Sequence, residues 1–144
     1  MKFYVAIAVA ALAAAAVSAL DDETIKKHAM EQRAKCLADL KGSEDELKEI
    51  EEKKEVETDF AKKMALCMFR AFKVLDENDK FSKANIMGMA KKVLDGRPEA
   101  ETKLKHTEEI ADACEKEVGA VQGAPEDTAK AVFDCLKKNV AEVL

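Results

Sequence analysis

The residues of this chain best suited to chemistry are four cysteines, Cys36, Cys67, Cys114 and Cys135. What they do depends on the compartment. A reducing one leaves thiols that can attack or bind metal, whereas an oxidising one yields disulfides. No pair shows the CxxC or CxxH spacing of a zinc site, so no metal is assigned. The amino terminus indicates export. Met1-Lys2 is a short basic start, an apolar run follows from Phe3 to about Val17, and Val17-Ser18-Ala19 offers small residues to a signal peptidase. Residues 1–19 are read as a signal peptide and residues 20–144 as the folded domain. The apolar run is barely long enough to span a bilayer, so no stable membrane insertion is expected. In a secreted chain of this size, an even cysteine count reads as a disulfide framework whose connectivity stays open.

Other chemistry is harder to find. No nucleophile is paired with a base and no Gly-rich phosphate loop is present, so there is no catalytic residue to assign and the chain is not read as an enzyme. Asp76-x-Asn78 begins like a calcium loop, but Lys80, Phe81 and Met87 stand where an oxygen ligand, a glycine and the final glutamate belong. No cofactor is implied. The net charge is −5 with both signs interspersed and no basic block, which argues against nucleic acid. Arg70 interrupts an apolar stretch and could hold a fatty-acid carboxylate, yet it shares a helical side with Lys63 and Lys73 and is expected in solvent. His28 and His106 are the two histidines, candidates for a pH-dependent role, but both sit among Lys and Glu and are expected to be surface groups. No Asn-x-Ser/Thr site is present.

The elements that position the cysteines are helices. The sequence is 48% hydrophobic but only 5% aromatic, without Trp, and holds 5 Gly and 2 Pro, a balance that favours helix over sheet. Helical stretches are expected near residues 22–40, 43–55, 58–75, 82–94, 99–118 and 126–143. Ser43 with Glu46 forms a capping box, and Pro125 stands at a helix start. The second stretch is mostly Glu and Lys, with Leu47, Ile50 and Val56 as a thin apolar edge. The third is the most apolar and is expected at the centre. Each cysteine is in phase with the apolar stripe of its own helix, so all four can point inward.

Thirty residues lie between Cys36 and Cys67, forty-six between Cys67 and Cys114, and twenty between Cys114 and Cys135. This spacing resembles the insect pheromone- and general-odorant-binding protein family, in its four-cysteine (minus-C) subgroup. Lys63 and Glu126 stand where the full pattern has its second and fifth cysteines. The resemblance spans the mature chain, including the polar turn from Asp76 to Lys80. It implies an all-α, compact six-helix domain, with bridges joining Cys36 to Cys67 and Cys114 to Cys135 around a hydrophobic cavity. Lys63 and Glu126 are then expected to be neighbours and to form an exposed ion pair. By helical phase and by position relative to the matching cysteines, the expected ligand-binding wall is Ala29, Ala65, Met68, Phe69, Phe72, Met89, Val93, Ala111, Val132, Phe133 and Leu136. The chain ends soon after Cys135, so release driven by a long tail is not expected.

Two functions follow from different classes. One is a secreted carrier of odorants, pheromones, fatty acids or similar small hydrophobic molecules, acting in sensillar lymph, haemolymph or glandular fluid as a monomer or weak dimer, with a chemosensory receptor as a further partner. The other is an interaction or storage protein of such fluids with no specific small-molecule ligand.

Overall fold

The computed structural model describes residues 23–141, apart from positions 54 and 97. The expected signal peptide lies outside the described residues. Within them the helices are α1 (Glu23–Asp39), α2 (Glu44–Lys53), α3 (Asp59–Ala71), α4 (Lys83–Leu94), α5 (Ala100–Gly119) and α6 (Pro125–Ala141).

The helix starts follow local capping chemistry. Ser43 and Glu46 close the expected box: the Ser43 backbone N–H donates to Glu46 Oε1 at 3.1 Å, and the Glu46 N–H donates to Ser43 Oγ at 3.2 Å. Thr58 Oγ1 accepts from the Ala61 N–H at 3.0 Å and Ser82 Oγ from the Asn85 N–H at 3.2 Å, so each hydroxyl satisfies a donor that its helix leaves open. Between α1 and α2 the chain turns through Lys41 at φ 53°, and the Gly42 N–H returns to Leu37 O at 3.1 Å. A Cβ on Gly42 would strike the ring of Phe60, so this corner needs glycine to let α3 approach.

One helix end differs from the expectation. Helical periodicity continues to Leu75, but α3 stops at Ala71. Lys73 adopts φ 60° and the Val74 N–H reaches back to Phe69 O at 2.9 Å. The turn carries Val74 and Leu75 into the core, and Leu75 pairs with Phe81 as an isolated antiparallel bridge. Their burial kept the apolar rhythm going after the helix had ended.

Packing follows the apolar stripes. The broadest contact is between α3 and α6; α4 lies on α5, α5 on α6, and α1 and α2 on α3. The central helix is therefore α3, as its wide apolar face requires. The core contains Phe69, Phe72, Phe81 and Phe133 among Met, Ala, Val, Ile and Leu. Disulfides join Cys36 to Cys67, tying α1 to α3, and Cys114 to Cys135, tying α5 to α6. Among the described residues no helix is long and apolar enough to cross a membrane.

Candidate functional site

The apolar face of α3 is built by Ala65, Met68 and Phe69, with Phe72 capping its end, and three- and four-residue steps bring them to one side. All are buried, and they join Val132, Phe133 and Leu136 of α6 and Ala111 of α5 in a continuous apolar cluster. Eight of the eleven expected wall residues thus belong to one cluster. Met89, on α4, is half-buried and outside it. The side chains of Ala29 and Val93, with that of His28, lie outside what is described.

None of the eight carries an ionisable group. Arg70 is held by Asp79, with Nε to Oδ1 at 2.6 Å and Nη2 to Oδ2 at 2.7 Å, so the carboxylate it binds belongs to the turn after α3. The guanidinium holds the Asp79 carboxyl below its usual range. Asp76 is similarly committed: its Oδ1 accepts from the backbone N–H groups of Asn78 and Lys80 at 2.8 and 3.0 Å. His106 is exposed, 3.7 Å from Glu109.

The ion pair expected where the family's remaining bridge would run is displaced by one residue on each helix. Lys62 Nζ lies 3.6 Å from Asp127 Oδ1, whereas Lys63 points to solvent. Nearby, Lys130 Nζ donates to Glu57 at 2.9 Å and to Asp134 at 3.1 Å. Its hydrogen bond from Lys130 holds the Glu57 carboxyl below the usual range.

Two buried polar residues did not figure in the expected site. Arg33, on α1, makes a two-pronged contact with Glu44 at 3.4 and 3.0 Å. Its signal was positional, since it lies one turn before Cys36 on the same stripe. Thr107, on α5, is fully buried, and its hydroxyl donates to Lys103 O at 2.7 Å. It shares a stripe with Ala111 and Cys114, where an apolar residue would be the simpler choice.

Among the described residues, two grooves open on the surface. One, of about 530 Å³, lies between residues 78–81 and 115–128. A smaller one, of about 150 Å³, lies between α2 and the start of α3, among Glu46, Glu49, Ile50, Glu57 and Phe60. Neither is lined by an expected wall residue. Among the described residues no group of three His, Cys, Asp or Glu side chains could hold a metal ion.

The architecture is similar to a solved structure, that of the odorant-binding protein dmelOBP28a from Drosophila melanogaster. The TM-score is 0.64 at 22% sequence identity, over 85% of this chain and 97% of that one. At that identity the likeness speaks for the fold. No curated protein matches the chain by sequence. The PBP/GOBP family model matches residues 18–139, and two disulfides rather than three fit the four-cysteine subgroup. The chain belongs to the PBP/GOBP family of pheromone- and general-odorant-binding proteins.

Proposed function

We propose that this protein is a secreted carrier that takes a small hydrophobic molecule into the apolar interior walled by α3, α5 and α6. The observation that carries this reading is the uncharged cluster of Ala65, Met68, Phe69, Phe72, Ala111, Val132, Phe133 and Leu136 in a chain of this family. Ala29, Met89 and Val93 complete the proposed wall. Transfer of an apolar ligand from water gains about 25 cal/mol per Å² buried, less the cost of ordering ligand and side chains. Met68 suits such a wall because an unbranched thioether refits to ligands of different outline. Arg70 has no part in binding, because Asp79 occupies its guanidinium. The reading is non-enzymatic. It places the protein in extracellular fluid, where residues 1–19 would direct it.

The test is displacement of a fluorescent naphthylamine probe by fatty acids, alcohols and volatile esters. Saturable probe binding and graded displacement are expected. No saturable binding across that panel would refute the carrier reading.

A further inference from the structure

The two disulfides stand in different surroundings. Cys114 and Cys135 are both buried, at 0% and 1% exposure. Asn139 covers them: its Nδ2 lies 3.3 Å from Cys135 Sγ and 3.8 Å from Cys114 Sγ, and donates to Cys135 O at 2.8 Å. In the other bridge Cys36 is buried but Cys67 is half-buried. A thiolate opens a disulfide by attacking one of its sulfurs, so access to a sulfur decides which bridge exchanges first.

The charges around Cys36–Cys67 favour one direction of attack. On α3, Cys67 stands one turn after Lys63 and one turn before Arg70, both exposed. Arg70 shares its charge with Asp79, so Lys63 supplies the field that draws in an anionic thiol. On α1, the exposed Lys35 and Asp39 beside Cys36 offset each other. Arg33 is buried one turn before Cys36 on the same face of α1. Its guanidinium, though shared with Glu44, favours the thiolate form of Cys36 and makes that sulfur the better leaving group.

We propose that Cys67 is a site of S-thiolation by an anionic low-molecular-weight thiol such as glutathione, which makes the Cys36–Cys67 bridge a redox-sensitive latch on α1. The thiolate sulfur bonds to Cys67 Sγ as the bond from Cys67 to Cys36 breaks. Cys36 leaves with the electron pair and takes a proton from water. A second thiolate then attacks the thiol-derived sulfur of the mixed disulfide and releases Cys67 as a thiolate. Two thiols are thereby oxidised to their disulfide while the bridge is reduced. Once the latch opens, α1 rests on its modest packing against α3 and on the Arg33–Glu44 pair. Because α1 also carries Ala29, opening loosens the proposed wall, a consequence that rests on the carrier reading above.

The experiment treats the oxidised protein with glutathione, traps free thiols by alkylation at successive times, and locates both adducts by peptide mass spectrometry. Glutathione on Cys67 and an alkyl group on Cys36 should appear first. The Cys114–Cys135 bridge should react about tenfold more slowly or less, because it must wait for local opening. Lys63→Glu should slow exchange with glutathione severalfold at low ionic strength and leave exchange with neutral mercaptoethanol level with wild type. Hydrogen exchange on the glutathione adduct should show α1 loosened while α6 keeps its protection. Equal rates at the two bridges, earlier opening of Cys114–Cys135, or glutathione carried on Cys36 overturns the proposal. A Lys63→Glu variant that reacts with glutathione as fast as wild type overturns the preference for an anionic thiol, and an adduct whose α1 stays fully protected overturns the latch. The mass readout needs no bound guest, so its failure is a separate result from failure of the carrier reading.

Discussion

The contact of α1 with α3 and the contact of α3 with α6 are closed in different ways. The first is modest and carries the Cys36–Cys67 bridge. The second is the broadest in the molecule and has no covalent link; Lys62–Asp127 and Glu57–Lys130 cross it at the rim. Where little apolar area is buried, a crosslink keeps the helices together. Where Phe69 and Met68 face a helix carrying Val132 and Phe133, area does that work and exposed charges add little. A seam closed by packing can also part and reclose, which a disulfide does not allow.

The largest expected effect comes from the seam itself. Phe69 is among the largest fully buried side chains, and Phe69→Ala should cost about 3–5 kcal/mol by urea denaturation. A loss under about 1 kcal/mol would mean that area does not hold this contact. Next, replacing Cys36 and Cys67 together by serine should cost about 3 kcal/mol. Hydrogen exchange should then show α1 opening while α3 and α6 keep their protection. Equal loss of protection in all three helices would break the comparison, because the bridge would be sustaining the seam as well.

A smaller effect is expected at the turn leaving α3. The Asp79 carboxyl is depressed by its hydrogen bonds from Arg70, so the folded state favours the ionised form. Its contribution is present above the usual value of 3.8 and is lost as pH falls through the lower folded value. Asp79→Asn should therefore be less stable than wild type near neutrality by up to about 1 kcal/mol, with the gap closing in acid. A gap that persists at low pH would assign the effect to geometry instead of charge. The smallest effect belongs to the rim. Glu57→Gln should lower stability only at low ionic strength, and high salt should erase the difference. A salt-independent loss would show that Glu57 holds the seam by some other means.

Much of this architecture was legible in the residues. Ser43 and Glu46 announced their capping box, the phase of Cys36, Cys114 and Cys135 put the sulfurs inside, and the apolar width of α3 placed it centrally. The end of α3 was not legible, because Val74 and Leu75 are buried by a turn yet continue a helical rhythm. Partner choice was also hidden. Nothing local distinguishes Lys62 from Lys63, or Asp127 from Glu126, until two helices fix which turn faces which. Arg70 was correctly placed away from the interior, but its partner Asp79 lies across a turn whose left-handed residues, Lys73 and Asp79, carry no glycine signature. For the candidate wall, helical phase found residues of α3, α5 and α6 that share one buried cluster, while Met89 of α4 is half-buried outside it.

The aromatic side chains of the core are phenylalanines, the sequence contains no Trp, and its one tyrosine is Tyr4, ahead of the helical domain. Residues 23–141 are therefore nearly dark in the near ultraviolet, apart from the weak bands of phenylalanine and the disulfides. A conjugated or aromatic guest would be the dominant chromophore of its own complex. Its absorption, and any optical activity induced by the chiral wall, could be recorded against an almost blank background without attaching a label.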